Sequence, residues 1–190
     1  MKTIVVGMHS SGKQELFEIL TKTYGIPCGK LFSNVNIADN RYDFFSDRDM
    51  IELFENKAYI FMKELTDYSR NAYEGLSLYE YDNNKVFILS PSQFAAIPQQ
   101  FFNEPICLVW LDDSKTQRRN RYDAERRSYN FNEQEELERR DLDDFIKTIY
   151  NNRCFHILYF NNEDIERVGS VIYAVTKYPD LINNFEKTFK

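Results

Sequence analysis

The chain has 190 residues, an apolar fraction of 43% and a formal net charge of −6. This length favours one domain, and the many aromatic residues, 13 Tyr and 16 Phe, exclude a disordered chain. The negative charge argues against a general nucleic-acid binder, because neutralising phosphates requires a basic surface.

The three cysteines, Cys28, Cys107 and Cys154, are widely spaced and match neither a disulfide framework nor a zinc motif. No apolar run is long enough to span a bilayer, and the N-terminus lacks a signal-peptide pattern. We therefore expect a cytoplasmic protein with no membrane partner.

Short apolar runs separated by helical patterns indicate buried parallel strands. The predicted strands cover residues 3–6, 85–89, 106–111 and 154–160. The first predicted helix begins directly after Gly12. The other predicted helices cover residues 49–61, 133–150 and 164–189. Strands that alternate with helices predict an α/β fold with a parallel sheet flanked by helices.

Two polar segments interrupt this alternation. Residues from about 25 to 81 hold no strong core strand, and we predict that they form an insertion over the carboxyl edge of the sheet. Residues from about 114 to 140 are polar and helical in tendency, and we predict a mobile lid that attracts anions. The cations of this lid are Lys115, Arg118, Arg119, Arg121, Arg126 and Arg127.

The first predicted strand runs directly into the sequence GMHSSGKQ, which matches the pattern Gly-x-x-x-x-Gly-Lys. In such a loop, glycines let backbone N–H groups face phosphate oxygens, the lysine adds charge, and the next helix presents its positive end. The pattern predicts a nucleotide-binding phosphate loop, and a structural turn is the alternative. The residues assigned to phosphate binding are Gly7, Ser10, Ser11, Gly12, Lys13 and Gln14.

Gln14 stands where this pattern usually has Ser or Thr, whose hydroxyl binds Mg²⁺. An amide oxygen coordinates Mg²⁺ weakly or through water, so we predict that Asp112, after the third predicted strand, assists Gln14 at the metal, with Ser10 or Ser11 as the alternatives. A solvated turn residue is the alternative for Asp112.

Two further features have mainly structural interpretations. His9 lies inside the loop and is predicted to be a solvated side chain, with phosphate contact as the alternative. The charged run 133–144 is predicted to form a solvated helix with local ion pairs.

The order of these motifs resembles the guanylate kinases and related nucleoside-monophosphate kinases. After the glycine loop, residues 42–46, YDFFS, are similar to that family's Tyr-x-Phe-x-Ser. Residues 73–77, YEGLS, are similar to its Tyr-Tyr-Gly-Thr-Ser. The likeness spans most of the chain.

The resemblance implies one P-loop kinase domain, residues 1–190, that transfers a phosphoryl group from ATP, with Mg²⁺, to a nucleoside monophosphate. The insertion would hold this acceptor, and the lid arginines would meet the phosphate charge. The implied catalytic residues are Lys13, Arg118, Arg121, Arg126 and Arg139. The implied acceptor-binding residues are Lys30, Arg41, Tyr42, Tyr73, Glu74 and Ser90.

The positions that read guanine in the family differ here. Phe61, Leu76 and Ser90 stand in place of its Glu, Thr and Asp, and none of them accepts hydrogen bonds as a carboxylate does. We therefore expect another acceptor, such as a deoxynucleotide or a modified pyrimidine nucleotide. The alternatives are a nucleotide-binding or interaction protein without catalysis and, third, a polynucleotide kinase.

Overall fold

The computed structural model describes residues 1–65, 71–125, 130–151, 155–161 and 164–182. The strands are β1 (Lys2–Gly7), β2 (Cys28–Gly29), β3 (Leu31–Ser33), β4 (Tyr42–Phe44), β5 (Tyr59–Glu64), β6 (Tyr73–Ser77), β7 (Val86–Leu89), β8 (Ile106–Asp112) and β9 (Phe155–Asn161). The helices are α1 (Lys13–Glu18), α2 (Asp47–Glu55), α3 (Leu78–Asn83), α4 (Pro91–Ala95), α5 (Lys115–Glu125), α6 (Phe131–Asn151) and α7 (Ile165–Lys177). A π-helical turn, Ile19–Thr23, continues α1.

The main sheet is parallel and has the strand order β2-β7-β1-β8-β9. Its central strand β1 pairs Val5 with Ile88 of β7 and with Val109 of β8. The three side chains are buried because helices cover both faces of the sheet, as the continuous apolar runs indicate. This arrangement confirms the predicted α/β fold.

Each face of the main sheet has its own apolar cluster. On one face, Leu16, Leu20 and Ile172 bring α1, its π-helical continuation and α7 against the sheet. On the other face, Phe94 of α4 and Phe145 of α6 pack edge to face, with ring centroids 5.2 Å apart. The second face thus fixes α6 over the part of the molecule that carries the glycine loop.

The predicted insertion 25–81 contains strands, so the expectation that it holds no strong core strand is wrong. It adds β2 to the edge of the main sheet and forms a second, mixed sheet of order β4-β3-β6-β5. These strands are short or partly exposed, and their apolar periodicity is therefore weak in the sequence.

The helix predicted over 49–61 is correct only in its first half. Ser46 caps α2 in a capping box with Asp49, and α2 ends at Glu55. Lys57 then has a positive φ of 51°, which breaks the helix before β5 begins at Tyr59.

The other predicted elements agree more closely with the structure. The ranges 85–89, 106–111 and 133–150 correspond to β7, β8 and α6, and α7 covers the first half of 164–189. Residue 154 and residues 183–189 of the predicted elements lie outside the described residues. Within the described chain, no helix has the length and apolarity required to cross a membrane.

Candidate active site

The glycine loop joins the carboxyl end of β1 to α1. A Cβ atom on Gly7 would meet Ser11 Oγ at 2.4 Å, so a side chain at this position would displace Ser11. Ser10 and Gly12 both have left-handed backbone conformations, with φ of 53° and 81°. Turns of this kind let successive N–H groups converge on an anion.

Lys13, the first residue of α1, places its ammonium group inside this loop. Its side chain is buried, and Nζ donates hydrogen bonds to the carbonyl oxygens of Gly7, at 2.5 Å, and Met8. A buried lysine beside the positive end of a helix concentrates positive charge where the loop amides lie.

The loop opens onto a cleft of about 860 Å³, a volume that suits a small-molecule site. The loop and α1 contribute His9, Ser10, Gly12, Lys13 and Gln14 to its lining. The opposite wall includes Asp39, Arg41, Tyr42, Glu74, Ser90 and Gln93. The helices α5 and α6 contribute Arg121 and Glu138, among others.

His9 is buried, with 7% of its surface exposed, so the prediction of a solvated loop side chain is wrong. Its backbone N–H and its ring Nδ1 lie 2.6 and 2.9 Å from Glu138 Oε2. Its ring also packs edge to face against Phe131, with centroids 4.6 Å apart. Helix α6 therefore packs against the glycine loop.

The carboxylate of Glu138 is held in its charged form by these contacts. Burial raises the pKa of Glu138, but hydrogen bonds from His9 and the charge of Lys13 outweigh burial and lower this pKa below its ordinary value. The predicted solvated helix is thus wrong at Glu138 and at Glu135, which are both buried.

Glu135 forms a two-pronged ion pair with Arg118 of α5. Arg118 Nη1 and Nη2 donate to the two Glu135 oxygens at 2.6 and 2.9 Å, and both side chains are buried. Arg118 Nε also donates to the carbonyl of Asp113 at 3.3 Å. Arg118, predicted to be catalytic, is therefore placed between α6 and the end of β8, and the cleft lining does not include it.

Arg121, one turn further along α5, lies at the loop itself. Its guanidinium contacts the carbonyl of Ser10 at 3.3 Å and pairs with the buried carboxylate of Asp113. The neighbouring Asp112, predicted as a metal ligand, instead accepts a hydrogen bond from Tyr159 and is absent from the cleft lining. Asp113 was not predicted, although it follows the same strand.

A magnesium site was predicted at Gln14 and Asp112. Among the described residues, no group of three His, Cys, Asp or Glu side chains could form a metal site of its own. Mg²⁺ takes many of its ligands from substrate phosphates and water, so few protein ligands are needed. Gln14, the second residue of α1, lines the cleft beside Lys13, and its role as a metal ligand stays a prediction.

The wall opposite the loop brings three predicted acceptor-binding residues together. The Tyr42 hydroxyl and Gln93 Nε2 donate to Glu74 Oε2, at 2.6 and 2.8 Å, and Gln93 Nε2 also contacts the Tyr42 hydroxyl at 2.8 Å. Gln93 Oε1 accepts from the backbone N–H of Ser90, which caps α4. Gln93 was missed, because its position in the short α4 shows only a capping pattern in the sequence.

Arg41 lines the same wall, but its charge is balanced. Its Nε lies 3.1 Å from both Asp39 oxygens, and Nη2 donates to Oδ2 at 2.6 Å. Burial raises the pKa of Asp39, while the hydrogen bonds and charge of Arg41 and the charge of Lys13 lower it to a net value below the ordinary one. The carboxylate of Asp39 thus interacts with the charge of Arg41 on the wall and with the charge of Lys13 in the glycine loop.

The remaining predicted residues lie apart from the cleft or outside the described chain. Lys30 pairs with Asp43 at 2.7 Å, and neither Lys30 nor Tyr73 is part of the cleft lining. Arg139 is exposed on α6. Arg126 lies outside the described residues.

Comparison with known proteins yields similar structures but no sequence match. No protein-family model matches the chain, and no curated protein does so. A guanylate kinase from Anaplasma phagocytophilum is similar in structure, with 13% identity and a TM-score of 0.53 over 93% of this chain and 84% of that one. A deoxyadenosine kinase from M. mycoides, solved with bound dCTP, has 11% identity and a TM-score of 0.50 over 93% of this chain and 99% of that one.

Identities this low establish the fold alone. The structures nonetheless share the parallel sheet flanked by helices, and here the glycine loop follows the central strand of that sheet. The chain therefore shares its α/β fold with these two kinases.

Proposed function

We propose that the protein is a kinase that transfers the γ-phosphoryl group of ATP to a nucleoside or nucleoside monophosphate. The observation that carries this proposal is that the phosphate loop and the wall formed by Tyr42, Glu74 and Gln93 face one cleft. The two similar structures support it, since one is named a guanylate kinase and the other a deoxyadenosine kinase.

Positioning and charge would provide most of the catalysis, since phosphoryl transfer requires little covalent participation by the protein. The loop amides and Lys13 hold the phosphates of ATP, and Arg121 adds charge from the side of α5. Mg²⁺ bound with ATP would neutralise charge at the phosphates, and Gln14, which lines the cleft, would hold it.

Arg118 has a different role in this proposal. Its guanidinium is paired with Glu135 inside the protein, so it acts as a positioning residue that holds α5 against α6. Arg121, which extends from α5 to the loop, depends on that placement. A contribution of Arg126 to phosphate binding stays a prediction.

A coupled assay of the purified protein tests the proposal. ATP and Mg²⁺ are supplied with a panel of nucleosides and their 5′-monophosphates, and ADP release is followed beside direct detection of the phosphorylated product. We expect acceptor-dependent turnover with at least one member of the panel. ATP binding by calorimetry without turnover on any acceptor would contradict the kinase proposal and favour a nucleotide-binding protein without catalysis.

A further inference from the structure

We propose that the acceptor is an uncharged nucleoside rather than a nucleoside monophosphate, and that Glu74 binds it by accepting a hydrogen bond from a substrate hydroxyl or N–H group. This inference rests on the proposed kinase function and names the substrate class of the same cleft. It departs from the monophosphate acceptor that the sequence resemblance implies.

The first support is the charge of the acceptor wall. Arg41 directs Nε and Nη2 to Asp39, and its Nη1 donates to the carbonyl of Ile88 at 3.3 Å. Lys63, the other cation on this side of the described cleft, lies 3.8 Å from Asp141. Both cations thus already face carboxylates.

Two further carboxylates, Glu64 and Glu74, line the same side of the cleft. A monophosphate would bring up to two negative charges to a wall where the described carboxylates outnumber the cations. Like charges placed together disfavour recognition, and phosphates are usually bound by arginines through charge-assisted hydrogen bonds. The wall therefore disfavours a phosphorylated acceptor and tolerates a neutral one.

The second support is the orientation of Glu74. This side chain has 6% of its surface exposed, and both of its hydrogen bonds from described residues, from Tyr42 and Gln93, fall on Oε2. Oε1 accepts none from them, although Glu74 lines the cleft. A carboxylate oxygen that accepts no hydrogen bond from described residues, on a side chain that lines a cleft, can accept from a hydrogen-bond donor on the ligand.

The surroundings of Glu74 also restrict what it can bind. Both N–H groups of the Gln93 amide are used, since they donate to Glu74 and Tyr42, and the amide oxygen accepts from Ser90. These contacts orient Glu74 and leave Oε1 as an acceptor. A nucleoside, which carries sugar hydroxyls and base N–H groups, offers the matching donors.

The reaction then takes place at a hydroxyl group. The nucleoside hydroxyl oxygen forms a bond to the γ-phosphorus of ATP, and the bond from that phosphorus to the bridging oxygen of ADP breaks. The electron pair of the broken bond leaves with ADP, and the hydroxyl proton passes to water. The products are a nucleoside monophosphate and ADP.

Paired acceptors test the proposal on the native protein. Ribonucleosides and 2′-deoxynucleosides of the common bases are each compared with their own 5′-monophosphates at equal concentrations of ATP and Mg²⁺. We expect kcat/KM for the best nucleoside to exceed that of its monophosphate by at least about tenfold, because of the like-charge repulsion at the wall.

The possible outcomes separate the two proposals. Turnover that favours the monophosphates would overturn the nucleoside assignment and leave the kinase function in place. Absence of turnover with both classes would overturn both proposals.

A variant tests the role of Glu74. Glu74→Gln retains the shape of the side chain but removes its charge, so KM for the nucleoside should rise about tenfold while kcat changes less and KM for ATP stays constant. The ratio of kcat/KM for the nucleoside to kcat/KM for its monophosphate should also fall. Glu52→Gln, which removes an exposed carboxylate of α2, is the matched control and should leave all these constants unchanged.

An unchanged KM for the nucleoside in a folded Glu74→Gln protein, checked by circular dichroism, would refute the role of Glu74. If the variant fails to fold, the acceptor preference of the native protein still decides the substrate class.

Discussion

At the scale of single residues, Lys13 combines two properties that a phosphate site requires. Its ammonium group is buried in the loop, and it stands at the positive end of α1. Lys13→Ala should therefore weaken ATP binding by at least about tenfold, since a charge-assisted contact contributes about 1.5–3 kcal/mol. Calorimetric titration with ATP measures this change.

Lys22→Ala is the matched control for that variant. Lys22 is exposed in the π-helical turn and pairs only with Glu18 at the surface among described residues, so its loss should not alter ATP affinity. Equal ATP affinities for the native protein and Lys13→Ala would refute the phosphate-loop assignment.

Because of Glu138, we expect the free energy of unfolding to depend on pH. Its pKa is lowered in the folded protein, so its contribution is fully present above the unfolded pKa of about 4.3 and is lost as the pH falls through the lower folded pKa. Glu138→Gln should cost about 2 kcal/mol of unfolding free energy at neutral pH, because hydrogen bonds from His9 to a charged carboxylate are replaced.

Urea unfolding of Glu138→Gln and of the native protein at a series of pH values measures this contribution. The difference between the two proteins should shrink below about pH 4.3. Glu136→Gln, an exposed change on the same helix, should show no such difference at any pH. A difference that stays constant down to pH 2 would contradict the role given to Glu138.

At the scale of elements, the contact between α5 and α6 depends on the buried pair Arg118–Glu135. Arg118→Met should lower the unfolding free energy by about 3–5 kcal/mol, since it leaves a buried carboxylate without its partner. The double change Arg118→Met, Glu135→Met should recover much of this loss, because neither charge is then buried. Denaturant unfolding of both variants measures the two effects.

That double variant also tests how the elements position Arg121. If the pair mainly stabilises the fold, the double variant should retain ATP affinity. A folded double variant with strongly reduced turnover and normal ATP affinity would instead show that the pair orients α5 for catalysis.

A strand could be predicted from the sequence where its own residues form a clear apolar pattern. The strands β1 and β8 are continuous apolar runs because both of their faces are covered, and such runs are visible in the sequence. In the second sheet, β3 and β4 have three residues each, and β4 and β5 are partly exposed. Their stability comes from pairing with distant strands, so no local pattern predicts them.

At the scale of the whole molecule, ATP should stabilise the folded protein. A ligand that binds only the folded state raises the unfolding free energy by about 2.7 kcal/mol at a concentration of one hundred times its Kd. For a chain of this size, such a gain raises Tm by roughly 5–10 °C. Thermal unfolding followed at increasing ATP concentrations measures this shift, and Lys13→Ala should abolish most of it. A Tm independent of ATP in the native protein would contradict nucleotide binding.

The glycine loop, the parallel sheet around it and the closing helices could be predicted from the amino-acid sequence. These features depend on residues close together in the chain, namely two glycines and a lysine at fixed spacing, and apolar runs at strand or helix period. The loop could therefore be located without knowing what surrounds it.

Which polar side chains share the cleft depends on how distant parts of the chain pack together. His9 is buried by Glu138, which lies 129 positions further along the chain, and Tyr42 meets Gln93 across 51 positions. Arg118 and Arg121 look equivalent in the sequence, yet one is paired inside the protein and the other reaches the loop. A charged residue shows its type in the sequence, but its partner, and hence its role, depends on contacts that form only when distant elements pack.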